Sequence, residues 1–559
     1  MTRQIPNILN KVPMMFRAQI GGRCQLQRVR QNVDEQDAER WVSEWIEKTD
    51  SQPPAFGEDV RVQSYSINWR FVTNGGQDDG IVRPVIGARG YPYYPGSSMK
   101  GAFRRCCTSE QVQRYCGRDL GKGDFAPGIL RFHGGYPTDN RWQDQLLDII
   151  HPQQTWQVQR NQSGSAFAQI SLYQPTLKFG ISSTISLEES EWETIWNIWK
   201  KALSAGIGCR VSAGYGQPQQ KRSNVSYKPQ LKGRGMAAKL LTGEGEFRPN
   251  MFKAALRGHA LRLLGGLTTE KNAEALVQQL FGGVQNGATV GLVTVSFQVN
   301  PEQLEMSEFG QGAFAVPTYD VTGQLCFSFT QSLEEEEKKA LIQVIKALTR
   351  FAMVFGGFGK SWRRADHRLF YPQYYDGGGQ NPLIGCHWQW SGEQCLVSNT
   401  RYGVRKLDQV PAFIDKVQQD LKGWMRRQGI NPTASYAQVW REVWHPDKVQ
   451  VWGRIAEEAE DSRVTEWLHR PYRQAIREAR ISEGSIYQSS VTGRMGNIGR
   501  IWHRMYPVVK LLQSNTDPND IRARSTAKYF EFLTFFPSDY PDQQEEKFLD
   551  FLEDEQEMF

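Results

Sequence analysis

The stretch YPYYPGSSMKGAFRRCC, residues 91–107, places three cations at the start of a predicted helix. Proline, glycine and serine before an apolar run are a helix-start signal. Lys100 and Arg104 are four residues apart, so both project from one helix face. A helix dipole is positive at its N-terminus, so a lysine there is unfavourable unless an anion lies nearby. Because first-turn N–H groups also bind anions, this segment predicts an anion site.

Two glycine-rich segments could supply further phosphate contacts. They are GIGCRVSAGYG (206–216) and GGFGKSWRRADHRLF (356–370). Glycine lets backbone amides approach a phosphate closely, and four cations are expected alongside it: Arg210, Lys360, Arg363 and Arg364. Neither segment fits a Walker A loop, and no Rossmann fingerprint occurs. A polymer backbone is therefore favoured over a nucleotide, with a solvated basic helix face as the alternative for either copy alone.

The chain contains a long internal repeat. YPGSSMKGAFR (94–104) aligns with FRPNMFKAALR (247–257), and the order strand, helix, strands, helix, glycine-rich loop then recurs. Three residues recur 153 positions later: Lys100 as Lys253, Ala102 as Ala255, and Arg104 as Arg257. This order predicts two related α+β domains of the ferredoxin-like or RNA-recognition type, with helices on one sheet face. Such sheets commonly bind single-stranded RNA.

The repeat and its flanking sequence predict that the chain has five segments. They are an N-terminal extension packing on the first domain (1–58), the first domain (59–228), the second domain (229–399 with 484–538), a helical insertion (400–483) and an acidic tail (539–559). Opening strands are predicted at 60–72 and 231–241, and helices of the insertion at 410–429 and 454–480. The last strands, at 484–509 and 528–537, are expected to close the second sheet. A separate third domain is the alternative.

Composition and charge indicate the kind of partner and the compartment. The net charge is +7, but residues 539–559 hold nine acidic residues and one lysine, or −8, which leaves +15 for the rest. A basic body with an acidic end suggests a nucleic-acid partner. The tail could form an amphipathic helix that docks on a basic partner or covers the RNA groove, or it could be a solvated end. Eight cysteines without CxxC pairs or zinc-ligand spacing predict free thiols in the cytoplasm, and no stretch is apolar enough to span a membrane.

YPYYPGSSMKGAFRR and GIGCRVSAGYG resemble the first-helix motif and the glycine-rich loop of the RAMP superfamily, the repeat-associated proteins of CRISPR systems. Within it, the chain is most similar to the backbone subunits of type III effector complexes, over about residues 60–220 and more loosely 230–370 with 484–537. Two copies in one chain resemble a fused tandem subunit, as in type III-D-like systems. The resemblance implies two ferredoxin-like, RRM-like RAMP domains in tandem, with the helical insertion in the second.

The resemblance also implies partners and RNA contacts. The partners are the CRISPR guide RNA, complementary target RNA, other RAMP-type effector subunits and the large signalling subunit, with sequence read by base pairing. The implied RNA contacts come from both helix motifs and both loops: Ser97, Ser98, Lys100, Arg104, Arg105, Arg210, Tyr215, Arg248, Lys253, Arg257, Lys360, Arg363 and Arg364. A β-hairpin thumb is implied at 151–174, and a shorter one at 299–316. Trp156 of the first could stack on a base, although a lone tryptophan is more often buried core.

Cleaving members of the family carry an aspartate between the first strand and the PGSS helix. The corresponding loop here, TNGGQDDGIVRPVIGARG (73–90), contains Asp78 and Asp79. A carboxylate beside an RNA kink could hold a divalent cation, Mg²⁺ or Mn²⁺, or orient the 2′-hydroxyl for attack. From the residues alone, the segment also fits a simple turn. The matching loop TGEGE carries Glu244 and Glu246 but no aspartate, so the second domain is expected not to cleave.

These observations favour a guide-RNA-binding backbone subunit that is also a metal-dependent endoribonuclease acting on guide-paired target RNA. The alternatives are a purely structural filament subunit and a self-contained nuclease that trims guide precursors. The last would need a general base–acid pair, and the sequence offers no His–His or His–Lys constellation. His259 and His503 could contact RNA, but a packed or surface histidine is the commoner state.

Overall fold

The structure, a computed structural model, describes most of the chain. The described residues are 35–73, 75–78, 81–121, 124–150, 155–160, 167–219, 225–240, 243–283, 289–310, 312, 315–359, 364–370, 385–469, 486, 491–494, 497–514, 517 and 519–554. The chain divides into two compact units. Unit 1 holds residues 1–151, 165–224 and 240–243, and unit 2 holds residues 152–164, 225–239 and 244–559.

Helices and strands alternate along the described part of the chain. The helices are α1 (Glu35–Glu47), α2 (Gly96–Arg104), α3 (Ser109–Gln111), α4 (Thr155–Gln159), α5 (Glu189–Ser204), α6 (Asn250–Gly265), α7 (Glu270–Phe281), α8 (Glu335–Phe351), α9 (His367–Phe370), α10 (Glu393–Arg401), α11 (Val410–Arg427), α12 (Arg463–His469) and α13 (Gln543–Asp554). The strands of unit 1 are β1 (Arg61–Ser66), β2 (Arg70–Phe71), β3 (Gln77–Asp78), β4 (Ile81–Val82), β5 (Gly117–Gly121), β6 (Asp124–Pro127), β7 (Leu130–Pro137), β8 (Leu147–Ile150), β9 (Phe167–Ile170), β10 (Leu172–Tyr173) and β11 (Thr176–Ser183). Those of unit 2 are β12 (Gln230–Met236), β13 (Ala238–Lys239), β14 (Gly245–Glu246), β15 (Val293–Gln298), β16 (Leu304–Phe309), β17 (Val316–Phe329), β18 (Cys386–Trp390), β19 (Gln450–Ala456), β20 (Gly493–Arg494), β21 (Asn497–Ile498), β22 (Ile501–Gln513) and β23 (Ile521–Phe535).

The main sheet of unit 1 has three antiparallel strands in the order β1-β11-β7. Alternate residues of the central strand point into the core, which buries Leu177, Phe179 and Ile181. Helix α2 packs on β7 and on α5, and the apolar faces of both helices join the same cluster. Helices covering one sheet face match the predicted α+β class. The predicted opening strand at 60–72 contains β1 and β2.

A second, smaller sheet of unit 1 has the order β3-β4-β9-β8. β3 and β4 form an antiparallel hairpin, and so do β8 and β9. The two hairpins meet through β4 and β9, which run parallel. This sheet places the segment that contains Asp78 beside the base of the predicted thumb at 151–174.

Unit 2 contains a sheet in the order β15-β17-β12-β18, with β16 paired to β17. The predicted opening strand at 231–241 overlaps β12 and β13. Helix α6 lies within the core of this unit and contacts α7, α8 and β15. Its sequence, NMFKAALRGHALRLLG, is apolar on most sides, so most of its residues are buried.

A second sheet of unit 2 corrects two predictions. β22 and β23 do not extend the β12 sheet but pair in the order β19-β23-β22. β19 lies in the segment predicted as a helical insertion, of which α11 and α12 are helical. Five of the seven residues of β19, QVWGRIA, are buried. The pairing of this strand with β23 outweighs the helix propensity of the charged residues that follow it. The predicted boundaries of the five segments, from the N-terminal extension to the acidic tail, stay a prediction.

The acidic tail forms helix α13, which packs on its own unit. Phe548, Phe551 and Leu552 are buried in one cluster with Trp452 and Trp467. Of the alternatives, an amphipathic helix is therefore the correct one for residues 543–554, and its carboxylates lie mostly on the solvent side. None of the helices in the described part of the chain has the length and hydropathy that a membrane crossing requires.

Candidate nucleic-acid interface

Helix α2 presents a polar, cationic face to solvent. Met99, Ala102 and Phe103 are buried in the core of unit 1. The exposed residues are the predicted RNA contacts of this segment: Ser97, Ser98, Lys100, Arg104 and Arg105. The first residue of the helix, Gly96, is in close contact with β7, since a Cβ at Gly96 would lie 2.0 Å from the carbonyl oxygen of Phe132. Glycine at this position therefore sets the approach of the helix to the sheet.

The N-terminus of α2 lacks an internal counter-charge. Its first turn holds no acidic residue, and Pro95 at the N-cap offers no side-chain acceptor. Among the described residues, Lys100, Arg104 and Arg105 form no ion pair, and the N–H groups of Ser97 and Ser98 find no acceptor. Burial raises the pKa of the nearby Cys116 thiol, an effect that the two cations at 100 and 104 partly offset. The anion implied by the sequence is thus not supplied by the described part of the protein.

The glycine-rich loop 206–216 is bound to strand β2 and its flanks. The N–H of Cys209 donates to the carbonyl of Val72 (2.8 Å), and that of Gly216 donates to the carbonyl of Arg70 (2.7 Å). Gly216 has φ +60°, and a Cβ there would lie 1.8 Å from the carbonyl oxygen of Ile207. Gly216 is therefore required by a close contact within the protein, whereas the sequence predicts loop glycines that admit a phosphate.

Helix α2 and this loop meet around Tyr94. Burial raises the pKa of the Tyr94 hydroxyl to about 12, and both Arg105 and Cys209 lie close enough to perturb it. Arg210, the cation of the loop, is exposed and adopts a left-handed conformation with φ 56°. A non-glycine residue in this region carries backbone strain that the surrounding structure must hold. The loop reaches Tyr94 through Phe71, whose ring lies 5.9 Å from the Tyr94 ring and against Gly208 of the loop.

Tyr215 is buried and belongs to a polar network, which corrects its predicted role as a direct RNA contact. Its hydroxyl donates to the carboxylate of Asp148 (2.9 Å), and Gln169 Nε2 donates to the same oxygen (3.1 Å). The Tyr215 ring also packs on Trp69, with centroids 4.6 Å apart. Only 1% of Tyr215 is exposed, so it anchors the loop instead of reaching a ligand.

The same network connects the loop to the strand that ends at Asp78. In the β3–β4 hairpin, Asp78 pairs with Ile81, and Val82 of β4 pairs with Gln169 of β9. The glycine-rich loop, the predicted catalytic segment and the base of the predicted thumb therefore share one buried framework. Asp79 and the side chains of Asp78 and Trp156 lie outside the described residues. Within the described part, no group of three or more His, Cys, Asp or Glu residues is arranged to hold a metal ion.

The described cations of the second basic motif are buried or half-buried, which corrects their predicted role as surface RNA contacts. Arg248, Lys253 and Arg364 are 8%, 6% and 2% exposed. Arg257 is half-buried, and its guanidinium donates to the carbonyl of Gly282. Lys253 and Arg257 lie on α6, which is packed into the core of unit 2, and Arg364 donates to the carbonyl of Gly359. Lys360 and Arg363 lie outside the described residues.

The described part of the shorter predicted thumb, 299–316, contains strand β16, which is acidic. β16 pairs antiparallel with the start of β17, and Glu305 and Glu308 of β16 are exposed. In the neighbouring loop of unit 2, Glu246 is buried and Glu244 is exposed. These carboxylates do not favour an RNA backbone.

A buried polar cluster in unit 2 was not expected from the sequence. The Glu531 carboxylate accepts hydrogen bonds from Arg454 (2.8 Å), His503 (3.2 Å) and Ser462 (2.6 Å). The other ring nitrogen of His503 lies 3.2 Å from His367. Burial favours neutral Glu531, but the bonds from His503 and Arg454 hold its pKa below the ordinary value. These residues come from distant segments, so no spacing in the sequence signals the cluster.

His503 and His259 are both core residues, which leaves neither available to RNA. His259 is 1% exposed, and its Nε2 lies 3.1 Å from the carbonyl of Gly357. A Cβ at Gly356 would lie 2.1 Å from its ring, so glycine is needed there for packing. Packed histidines, the commoner state, are therefore the correct interpretation for both.

Comparison with known proteins finds likenesses among solved structures. No protein-family model matches the chain, and no curated protein matches it. A solved structure described as a cryo-EM structure of the Type III-B Cmr-beta bound to cognate target RNA is similar over 36% of this chain and 70% of its own. The identity is 16% and the TM-score is 0.21, a level of likeness that does not define a fold family.

Proposed function

We propose that this chain is an RNA-binding backbone subunit of a type III CRISPR effector ribonucleoprotein, built from two RAMP-type domains. The observation that carries the proposal is the solvent face of α2, with Lys100, Arg104 and Arg105 exposed and without a counter-charge in the described part. The resemblance of PGSSMKGAFRR to the RAMP first helix supports the identity of the ligand as guide RNA. The proposed setting is cytoplasmic, with complementary target RNA, other RAMP-type subunits and the large signalling subunit as partners.

Binding of the guide would proceed through its phosphates. The N–H groups and hydroxyls of Ser97 and Ser98 donate to one phosphate, and Lys100 and Arg104 add charge-assisted hydrogen bonds. Such contacts fix the position of the RNA without reading its bases, which stay available for pairing with a target. Arg105 and the loop anchored by Tyr215 extend the same surface toward Arg210.

The test removes the charge from α2. We expect the double variant Lys100→Ser, Arg104→Ser to bind single-stranded RNA more weakly. Its salt dependence (log K against log salt) should be shallower by about 1.4, since each phosphate that is no longer neutralised lowers the slope by about 0.7. The matched control is Lys338→Ser, Lys339→Ser, which removes the same charge from ion pairs with Glu335 and Glu336 on α8. An identical slope in both variants, or wild-type protein that binds no RNA, would contradict the proposal.

We further propose that the first domain cleaves guide-paired target RNA with a divalent cation, Mg²⁺ or Mn²⁺. Asp78 and Asp79 would hold the cation, because carboxylate oxygens are the ligands that these hard ions prefer. When bound, the cation supplies electrostatic stabilisation of the charge that develops at the phosphate. The parallel pairing of β4 with β9 supports this role, since it keeps the aspartate segment beside the base of the predicted thumb, where the RNA would be kinked.

We propose that the second domain does not cut RNA, because the loop that corresponds to 73–90 carries Glu244 and Glu246 in place of aspartates. If replacement of Asp78 and Asp79 left every cut intact, the purely structural filament subunit would be the correct function.

A further inference from the structure

The long β22–β23 hairpin extends beyond the sheet to which it belongs. β19 pairs with β23 only between Tyr529 and Phe535, whereas β22 stays paired with β23 as far as Gln513 and Ile521. The outer part, residues 509–513 and 521–525, is therefore a two-stranded ribbon, hereafter the basic arm. Two-stranded ribbons are marginally stable in water unless one face is covered.

One face of the basic arm packs on its own unit. Helix α10 contacts both strands, and at the edge of the ribbon the N–H of Ala523 donates to the carboxylate of Glu393 at the start of that helix. Leu511, Ile521 and Ala523, whose register places them on this face, are half-buried. The helix thus stabilises the ribbon and leaves the opposite face open.

The open face carries three cations and one apolar side chain. Lys510 pairs directly with Arg524, and Leu512 with Arg522, so these four side chains share one face in two rows. All four are exposed, Leu512 to 48%. The rows are two residues apart on each strand, or about 7 Å.

The charge arrangement on this face is unfavourable for the free protein. Like charges at directly opposed positions of an antiparallel pair are destabilising. Arg522 has a partner in Asp520 (3.3 Å), but Lys510 and Arg524 form no ion pair among the described residues. A bound anion would relieve the repulsion between Lys510 and Arg524. The charge arrangement therefore favours an anionic ligand on this face.

We propose that the open face of the basic arm binds the phosphate backbone of single-stranded RNA, a second contact in addition to α2. This inference rests on the proposed function. RNA fits better than an acidic protein segment because it offers phosphates for the cations and apolar base faces that can cover Leu512. The acidic helix α13 of a second copy is the protein alternative, but its apolar residues are already buried, so it offers only carboxylates.

The experiment uses full-length protein and fluorescein-labelled poly(U) RNA. Lys510→Ser, Arg524→Ser is compared with wild type, with the α8 control Lys338→Ser, Lys339→Ser, and with Lys100→Ser, Arg104→Ser. We expect the arm variant to lower the salt slope by about 1.4, which corresponds to affinity about 25-fold weaker at 0.1 M salt if the proteins converge at 1 M. Its Tm should stay the same or rise, because a repulsive pair has been removed.

The outcomes separate this inference from the proposed function. If the arm variant matches the α8 control while the α2 variant loses affinity, the arm does not bind RNA and the proposed function stands. If no protein binds poly(U), both fail. A fall in the Tm of the arm variant would show that Lys510 and Arg524 have a structural role. If the arm variant no longer self-associates in sedimentation but still binds RNA, the face is assigned to contact with a second copy of the chain. Each of these results overturns the arm proposal. Retained binding in the charge-conserving variant Lys510→Arg, Arg524→Lys supports it.

Discussion

The hydroxyl of Tyr215 donates a 2.9 Å hydrogen bond to the carboxylate of Asp148, both buried in unit 1. The bond joins the glycine-rich loop to strand β8, at the base of the hairpin that pairs with the Asp78 segment. The carboxylate also accepts from Gln169, so a single buried group holds three segments in register. Buried polar groups of this kind are costly to leave unpaired, which makes the connection sensitive to small changes.

Tyr215→Phe is therefore expected to destabilise the protein. The substitution removes one donor from a buried carboxylate and should lower the free energy of unfolding by about 1–3 kcal/mol. Urea denaturation followed by tryptophan fluorescence measures the change. Tyr540→Phe is the control, since Tyr540 is 92% exposed and its hydroxyl is solvated. Equal midpoints for the two variants would show that the Tyr215 bond contributes no stability.

Two glycine-to-alanine substitutions are expected to change the stability of the protein in opposite directions, one through backbone strain and one through helix propensity. Gly216→Ala should destabilise the loop and weaken RNA binding, because a Cβ would meet the Ile207 carbonyl oxygen at 1.8 Å in a left-handed conformation. Gly101→Ala in α2 meets nothing within 4 Å and should raise stability by about 0.5–1 kcal/mol. Thermal unfolding of the two variants should therefore shift in opposite directions. A shift in the same direction for both would refute the account of the loop.

Replacement of both aspartates tests the proposed cleavage. In an assembled complex with guide RNA, Asp78→Ala, Asp79→Ala should abolish cutting of labelled target RNA while target binding persists. The matched control, Glu244→Ala with Glu246→Gln, should leave the cutting pattern unchanged. A chelator added to the wild-type complex should mimic the aspartate variant, and Mg²⁺ or Mn²⁺ should restore activity. Cuts that persist at every site in the aspartate variant would remove this loop from the chemistry.

The buried Glu531 predicts a defined pH dependence of stability. Its folded pKa lies below the ordinary value of 4.5, so its contribution is fully present above pH 4.5 and is lost as pH falls through the folded pKa. Glu531→Gln removes one of the two carboxylates that pair with Arg454, the other being Asp461 at 2.8 Å, and weakens the charge-assisted hydrogen bonds of the cluster, so it should cost about 1–3 kcal/mol at neutral pH. The difference between wild type and variant should shrink in acid. Urea midpoints measured across the acid range check this, and a difference that stays constant with pH would contradict it.

The sequence by itself determined the first basic helix and the face that it exposes. The segment PGSSMKGAFR is enough to predict both. A helix start depends on a few adjacent residues, and the side chains that share a face follow from the 3.6-residue period. The α+β class was predictable for the same reason, since strand and helix periodicities are local properties. The tandem RAMP arrangement stays a proposal.

Only the tertiary structure decided which of the two basic motifs reaches solvent. α6 repeats the pattern of α2, yet distant segments cover it: the Ala437 N–H donates to the carbonyl of Gly265, and the Trp444 N–H to that of Arg262. Arg262 itself pairs in the core with Glu442, 180 positions away. Burial depends on which remote residues pack against a helix face, and neither period nor composition carries that information. The Glu531 cluster and strand β19 follow the same rule, since both depend on pairing across the fold.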